Sequence, residues 1–409
     1  MEKQLSMIPY ETEPSLWKNK NIILLWSGSL ISSFGYQFYI VALPLLIYHL
    51  TESPLAMSTM RAVEFVPNVI LGVFAGIFVD RFNRKRIMTW MTIIQITVIA
   101  SLVMMLIFKW IAIWQLFLFG FLLSSSSYTL GNAQHALIPT LVSKNFLTEV
   151  NARFSLISTL VNLIGPGMAG LILSLTTFHI SVGLYGICLI ALLCCIFSLS
   201  IESHEKKVKK TSLWDDFKEG WSELVLNKTL LPPTIAILFM NFASSLILGV
   251  YMFYAIDQLG TSESQVGILL SIGSIGGLVG AFFAPKIRKK IPRGRLLSYC
   301  ILIDSIGMIC MSIVPVWWLL GCCLLLRTLA VTITNIIYLS IRQEFTPNHL
   351  LGRVAGTSSM LMKLATPGAL LLSGVLAGII PIKLLFVIAG ILMIIIYLFI
   401  RKQAIVHIR

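Results

Sequence analysis

Acidic residues are scarce in this chain. Its 409 residues hold 17 Asp and Glu against 31 Lys and Arg, and all charged residues together make up 12%. So little charge cannot clothe the exterior of a water-soluble domain of this size. No glycine is followed by lysine, which excludes a phosphate-cradling Gly-Lys loop and ATP hydrolysis by that route. The six histidines lack the short spacings of a zinc site, so no metal is expected. The seven cysteines, Cys188, Cys194, Cys195, Cys300, Cys310, Cys322 and Cys323, fall inside apolar stretches, where a thiol packs as a small apolar group and no disulfide framework is expected. The longest polar stretch, Glu202 to Thr229, is too short for a catalytic domain, so neither enzyme activity nor a cofactor is expected. The first sixteen residues are polar and the first apolar run is long, so no cleavable leader is expected.

What the chain has instead is apolar length. Hydrophobic residues make up 57% and the mean hydropathy is +0.89, values that belong in a bilayer. Apolar runs long enough to cross one lie near 20–48, 54–79, 87–108, 112–136, 154–176 and 181–201. Six more lie near 231–257, 264–285, 296–314, 316–343, 354–379 and 382–400. The expected fold is an all-α membrane protein of twelve transmembrane helices with both termini on one side.

A net charge of +14 could point to nucleic acid, but the position of the basic residues explains it otherwise. Against these spans, 26 of the 31 Lys and Arg fall on the side of the termini, and only Lys109 and Lys383 lie opposite. Positive charge collects on the cytoplasmic face during insertion, so both termini are expected in the cytoplasm and no nucleic-acid partner is needed.

An internal repeat organises the chain. Shifted by 204 residues, Gly72, Gly76, Asp80, Arg81, Arg84, Lys85 and Arg86 fall on Gly276, Gly280, Ala284, Pro285, Arg288, Lys289 and Lys290. A second echo pairs Arg153 and Gly165-Pro166-Gly167 with Arg353 and Pro367-Gly368. Two six-helix halves follow, residues 1–201 and 231–409, joined by a cytoplasmic linker over 202–230. Repeated halves commonly build a central site that opens alternately to either side. Within the linker, after the basic run Lys206 to Lys210, Ser212 and Asp215 fit a capping box. Leu213, Phe217, Trp221 and Leu224 recur at helical spacing, as in an amphipathic helix lying on the inner leaflet.

The first copy of the repeat carries chemistry that the second has lost, because Asp80 becomes Ala284. An acidic residue at the membrane edge followed by Arg81, Arg84 and Lys85 can form a charged latch, and Gly72 and Gly76, one turn apart, allow close helix approach. An ionisable group inside the membrane costs at least about 2.5 kcal/mol on insertion, which makes it a functional candidate. Five stand out. Arg61 and Glu64, three apart on the second helix, can pair with each other, and Glu64 is also a candidate for proton exchange. Asp304 and Arg327 flank Pro315 at similar distance and are expected to pair; Lys363 lies on the eleventh helix. Polar and aromatic candidates for a substrate cavity are Tyr36, Gln37 and Tyr39 on the first helix, Asn241 on the seventh, and Asn335 and Tyr338 on the tenth. Each could equally serve interhelical hydrogen bonding.

The twelve-helix plan, the Gly76 to Lys85 loop and the half-repeat resemble the major facilitator superfamily over nearly the whole chain. Gly165, Pro166 and Gly170 resemble the helix-packing Gly-Pro motif of the drug-proton antiporters, with Val161 in place of the glycine expected four residues before Gly165. The segments Ala42-Leu43-Pro44-Leu45 and Trp214 to Gly220 look like the group holding bacterial macrolide exporters and the enterobactin exporter. The resemblance implies a secondary transporter of the bacterial plasma membrane that exports drugs or small amphipathic, macrolide-like metabolites by alternating access with protons. A monomer is the commonest state in the superfamily. It also implies an inner gate in which Asp80 and Arg81 reach the start of the eleventh helix, near Gly352 to Gly356. Its antiporters carry an Arg on the fourth helix that is absent here between Ala112 and Gln134, with Arg327 the available substitute. Sodium coupling and uncoupled export stay open. A siderophore exporter and a lysophospholipid transporter of the same fold are the alternatives, and a receptor or membrane enzyme fits less well.

Overall fold

The computed structural model describes residues 19–143, 146–200 and 213–403, without the side chains of 73–81, 213, 215 and 216. The surroundings of Gly76, the side chains of Asp80 and Arg81, the basic run Lys206 to Lys210, and the proposed Ser212–Asp215 box lie outside the described residues. Among those described there is no strand. Six long helices come first: α1 (Lys20–Thr51), α2 (Pro54–Arg81), α3 (Arg84–Ile107), α4 (Ile113–Leu141), α5 (Leu147–Leu175) and α6 (Phe178–Phe197). A surface helix, α7 (Leu213–Leu226), precedes the rest: α8 (Leu231–Leu248), α9 (Tyr251–Phe253), α10 (Glu263–Arg288), α11 (Arg293–Cys310), α12 (Trp317–Phe345), α13 (Leu351–Leu364), α14 (Thr366–Ala377) and α15 (Ile382–Arg401). Ten of the helical segments described are long and apolar enough to cross a membrane.

Local chemistry sets the ends. The Asn19 side chain accepts from the backbone N–H groups of Asn21 and Ile22 to start α1, and Asn83 does the same for Arg86 at the start of α3. Before α10, the Gln265 side chain accepts from the Ser262 backbone N–H at 3.0 Å. Two expected spans are broken. Asn348–Ala377 divides at Ala365, since Pro367 cannot continue the ladder of α13 but fits the first turn of α14. Leu231–Gln258 divides at Gly249 and Val250, where α14 passes so closely that a Cβ on Gly249 would lie 2.1 Å from Ser373 Oγ. The fifth helix begins at Leu147, seven residues before its apolar run, because its first two turns are polar.

The repeat is visible in the helix bounds: α4 and α12, like α6 and α15, are offset by 204 residues at both ends. In the first set, α1 packs on α5 and α6, α2 on α4, and α3 on α4 and α6. In the second, α10 packs on α12, and α11 on α12 and α15, while α8 lies against α13, α14 and α15. Gly276 and Gly280 let α10 ride on α12, where Cβ atoms would come within 1.9 Å of the Leu325 carbonyl and 2.8 Å of that of Leu329. Their counterpart Gly72 faces Tyr128 on α4.

The two sets join through α5 against α10 and α2 against α13 and α14. Polar contacts among the described residues link them toward the face that holds Thr51 and Leu175, opposite the face of Lys20 and Arg401. The Tyr48 hydroxyl donates to Asp257 at 3.2 Å, and His49 lies 3.6 Å from Glu263. The Gly167 backbone N–H donates to Ser271 Oγ at 3.0 Å, and Arg61 Nη2 reaches Met252 Sδ at 3.7 Å. The backbones touch there as well. A Cβ on Gly170 would lie 2.9 Å from Gly267 Cα, and one on Gly374 would lie 1.8 Å from Ser58 Oγ.

Helix α7 docks on the protein by one side. Leu224 and Gly220 are buried and a Cβ on Gly220 would lie 2.7 Å from the Arg353 carbonyl of α13, while Arg353 pairs with Glu219. Trp214 and Trp221 stay exposed, stacked in series with Phe217. The apolar residues expected on one inner-leaflet face are therefore divided between a protein contact and an exposed aromatic row.

Candidate functional site

Among the described residues, two ion pairs lie within the apolar interior, one in each helix set. Asp304 on α11 is wholly buried and its Oδ1 accepts from Arg327 Nε on α12 at 2.8 Å. Arg327 also donates to Ser244 Oγ on α8 at 3.3 Å and rests 3.8 Å from Met311 Sδ. Its stem runs over Gly307, where a Cβ would lie 2.6 Å from Arg327 Cγ, so the glycine makes the pair sterically possible. Asp304 Oδ2 has no hydrogen-bond partner among the described residues. Such an orphaned acceptor in a dry interior is costly unless something else satisfies it.

The second pair lies on α2, where Arg61 Nη1 is 3.2 Å from Glu64 Oε2, one turn apart. Tyr39 on α1 donates to Glu64 Oε1 at 2.9 Å. Both oxygens of Glu64 are thus engaged, which distinguishes it from Asp304. Tyr36, Tyr39 and Tyr185 cluster around this pair with ring centroids 5.8 to 6.1 Å apart.

Each pair borders a cavity. The first helix set encloses about 750 Å³, lined by Tyr36, Gln37, Glu64, Asn68, Gln95, Gln134 and His135 among others. It runs from the level of Glu64 toward the face of Lys20. The second set encloses about 430 Å³, lined by Met240, Asn241, Tyr251, Leu324, Arg327, Val331 and Asn335 among others. Tyr251 stands where α9 begins, just after the break in that span.

Of the six residues expected in a cavity, Tyr36 and Gln37 line the first, and Asn241 and Asn335 the second. Asn241 also donates to the Met362 carbonyl at 2.8 Å, holding α8 to α13. Tyr39 and Tyr338 do not line either. Tyr39 is buried behind the wall on Glu64, and Tyr338 is buried with its hydroxyl 2.8 Å from Thr234 Oγ1 and the Arg342 guanidinium over its ring. Lys363 sits half-buried in the last turn of α13 and lines neither cavity.

Lys85, placed by its sequence in the gate, donates at 3.0 and 2.6 Å to the carbonyls of Phe197 and Leu199. A cation on the orphan carbonyls of a helix C-terminus is favourable, so here Lys85 ties α3 to α6 in its own set. Arg84 sits beside it at the start of α3. Among the described residues, nothing lies within 4 Å of a Cβ built on Gly352 or Gly356 of α13. Gly165 faces the Gln37 side chain, and Gly170 the α10 backbone; Pro166 interrupts the ladder of α5, next to the Gly167 N–H that Ser271 receives. Asn68, Gln134, His135 and Tyr251 escaped the sequence reading. An amide in an apolar run was the available signal for the first two.

A family model described as the Major Facilitator Superfamily matches residues 25–368. Macrolide efflux protein A of Streptococcus pyogenes is 22% identical over 385 residues, covering 92% of this chain and 94% of that protein. Multidrug efflux pump Tap of Mycolicibacterium fortuitum is 24% identical over 384 residues, covering 88% and 90%. Among solved structures, a mutant of nucleoside transporter NupG superposes with a TM-score of 0.76 at 11% identity, covering 93% of this chain and 99% of that one. A bacterial homologue of the iron transporter ferroportin in an inward-facing state gives 0.71 at 17% identity, covering 95% and 99%.

Proposed function

This chain belongs to the Major Facilitator Superfamily, and from that premise we propose that it is an exporter of drugs or small amphipathic metabolites that works by alternating access and proton antiport. The observation that carries the reading is the pair of cavities, each bordered by an internal ion pair, enclosed by helix sets that touch at one face. On this reading twelve spans place both termini in the cytoplasm, because Lys20, Arg84, Arg293 and Arg401 share one face. The halves are residues 1–201 and 231–409 with the linker 202–230 between them. The conformation is then closed to the outside through α5–α10 and α2–α14.

A multi-pass protein of the bacterial plasma membrane, acting as a monomer on a small molecule, accounts for both efflux relatives. In the opposite conformation Asp80 and Arg81 would close the cytoplasmic side against the N-terminus of α13, where no described residue crowds Gly352 or Gly356 and the helix dipole favours a carboxylate. Asp304 is the better proton carrier of the two carboxylates, because one of its oxygens has no partner among the described residues, whereas Glu64 has both occupied. Arg327 then stands between proton and substrate, since it lines the cavity and holds Asp304. A siderophore or lysophospholipid, the anionic alternative, is favoured only by Arg327, whose charge Asp304 already matches. The test is accumulation of fluorescent amphiphiles in cells with and without the protein. Lower accumulation that a protonophore abolishes supports the reading; unchanged accumulation across macrolides and amphiphiles in cells that make the protein contradicts it.

A further inference from the structure

The two cavity walls differ in chemistry, and the difference bears on what they bind. On the first wall, Gln37, Asn68, Gln95, Gln134 and His135 stand among several serines and Tyr36. Gln37 and Gln95 are partly used, donating to Asn162 and Ser127 at 3.3 Å each. Asn68, Gln134 and His135 have no hydrogen-bond partner among the described residues, so their donors and acceptors are available to a bound molecule. The second wall exposes proportionally more apolar surface, from Ile237, Met240, Leu248, Leu270, Leu324 and Val331, with Asn241, Ser244, Thr328, Thr334 and Asn335 set among them.

Among the described residues, neither wall offers an unmatched carboxylate, guanidinium or ammonium. Glu64 is paired with Arg61 and takes a hydrogen bond from Tyr39, and Arg327 is paired with Asp304. A cationic head would find no carboxylate to spare, and an anionic head no guanidinium or ammonium to spare, only the His135 imidazole, so a charged head would be desolvated without a permanent counter-charge. Amides and hydroxyls satisfy neutral hydroxyl groups, and a site built to hydrogen-bond them discriminates strongly against a molecule that lacks them.

We propose that the substrate is an uncharged amphiphile with a polyhydroxylated, sugar-like head that binds the amide and hydroxyl wall of the first helix set and an apolar body that lies along the more apolar wall of the second. This rests on reading the two cavities, one in each helix set, as facing walls of a single transport site, and names the substrate class.

The experiment uses inside-out membrane vesicles energised with NADH and three fluorescent probes that share one apolar body. Their heads are glucosyl, trimethylammonium and sulfonate. The expected result is glucosyl-probe uptake at least fivefold above vesicles lacking the protein, with less than a twofold gain for either charged probe. Asn68→Leu and Gln134→Leu should each cut that uptake fivefold or more at unchanged protein content, and Asn68→Gln and Gln134→Asn should keep at least half of it. Uptake of a charged probe equal to or above that of the glucosyl probe overturns the head-group assignment and leaves the exporter standing. Uptake of none of the three, by protein present in the membrane, overturns the exporter reading together with it.

Discussion

Arg327 Nε lies 2.8 Å from one oxygen of Asp304, while the other oxygen of that carboxylate has no partner among the described residues. Each guanidinium nitrogen therefore has one partner, since Arg327 reaches Ser244 and Met311 as well, but the carboxylate is only half satisfied. Removing one member strands the other in a dry interior, at a cost of about 3 to 5 kcal/mol for a buried pair. Arg327→Leu should accordingly lower both export and the amount of folded protein. Asp304→Asn, which keeps the shape and an acceptor for Arg327, should leave the protein in the membrane but uncouple it from the proton gradient. Thermal unfolding in detergent and gradient-driven export, measured side by side, separate the two outcomes. A charge-swapped double variant should recover part of the folded yield that Arg327→Leu loses.

Glu64 should behave differently. Because Arg61 and Tyr39 satisfy both its oxygens, Tyr39→Phe removes a hydrogen bond to a charged group, worth about 1.5 to 3 kcal/mol. The expected effect is a lower melting temperature with gradient coupling retained. Loss of coupling in Tyr39→Phe at unchanged stability would transfer the proton role to Glu64.

The contact between α5 and α10 leaves no room for a side chain. A Cβ on Gly267 would lie 2.4 Å from the Pro166 carbonyl oxygen, and one on Gly170 would lie 2.6 Å from that of Glu263. Gly267→Val should hold the sets apart at this face and lower export at least tenfold at normal membrane content. Ser271→Ala removes only the acceptor of the Gly167 N–H, about 0.5 to 1.5 kcal/mol, and should be mild. Comparable export by Gly267→Val and wild type would mean that this contact does not open and close during transport.

The gate calls for a separate test. In the proposed gate the Asp80 carboxylate acts only on meeting the N-terminal dipole of α13, an interaction of about 0.3 to 1 kcal/mol when exposed and more when partly buried, so Asp80→Asn should slow export several-fold while yield and melting temperature stay at wild-type levels. Wild-type export rates in a well-expressed Asp80→Asn protein would remove the gate assignment.

Much of this architecture was legible in the sequence because the bilayer imposes a length on every apolar run. The 204-residue repeat reappears in the matched bounds of α4 with α12 and α6 with α15. Intramembrane charge was legible for a similar reason: Asp304 and Arg327, or Arg61 and Glu64, have few alternatives to each other in an apolar interior. Helix phase was harder. A span apolar on every side carries no clear face, so Tyr39 and Tyr338 could not be told from the cavity-facing Tyr36 and Asn335. The break at Gly249 coincides with the close approach of α14, a contact between distant segments that no local pattern records. The same holds for α7, whose aromatic spacing announced a surface helix but not its docking on Arg353 through Gly220.

Coupling of substrate to protons is the centre of the account, and it is tested most directly in acidified inside-out vesicles that carry a pH-sensitive dye. Adding the exported amphiphile to wild-type vesicles should release protons from the lumen, Asp304→Asn vesicles should release none, and Tyr39→Phe vesicles should retain the response. Substrate uptake without proton release in wild-type vesicles, or an undiminished release in Asp304→Asn vesicles, would contradict it.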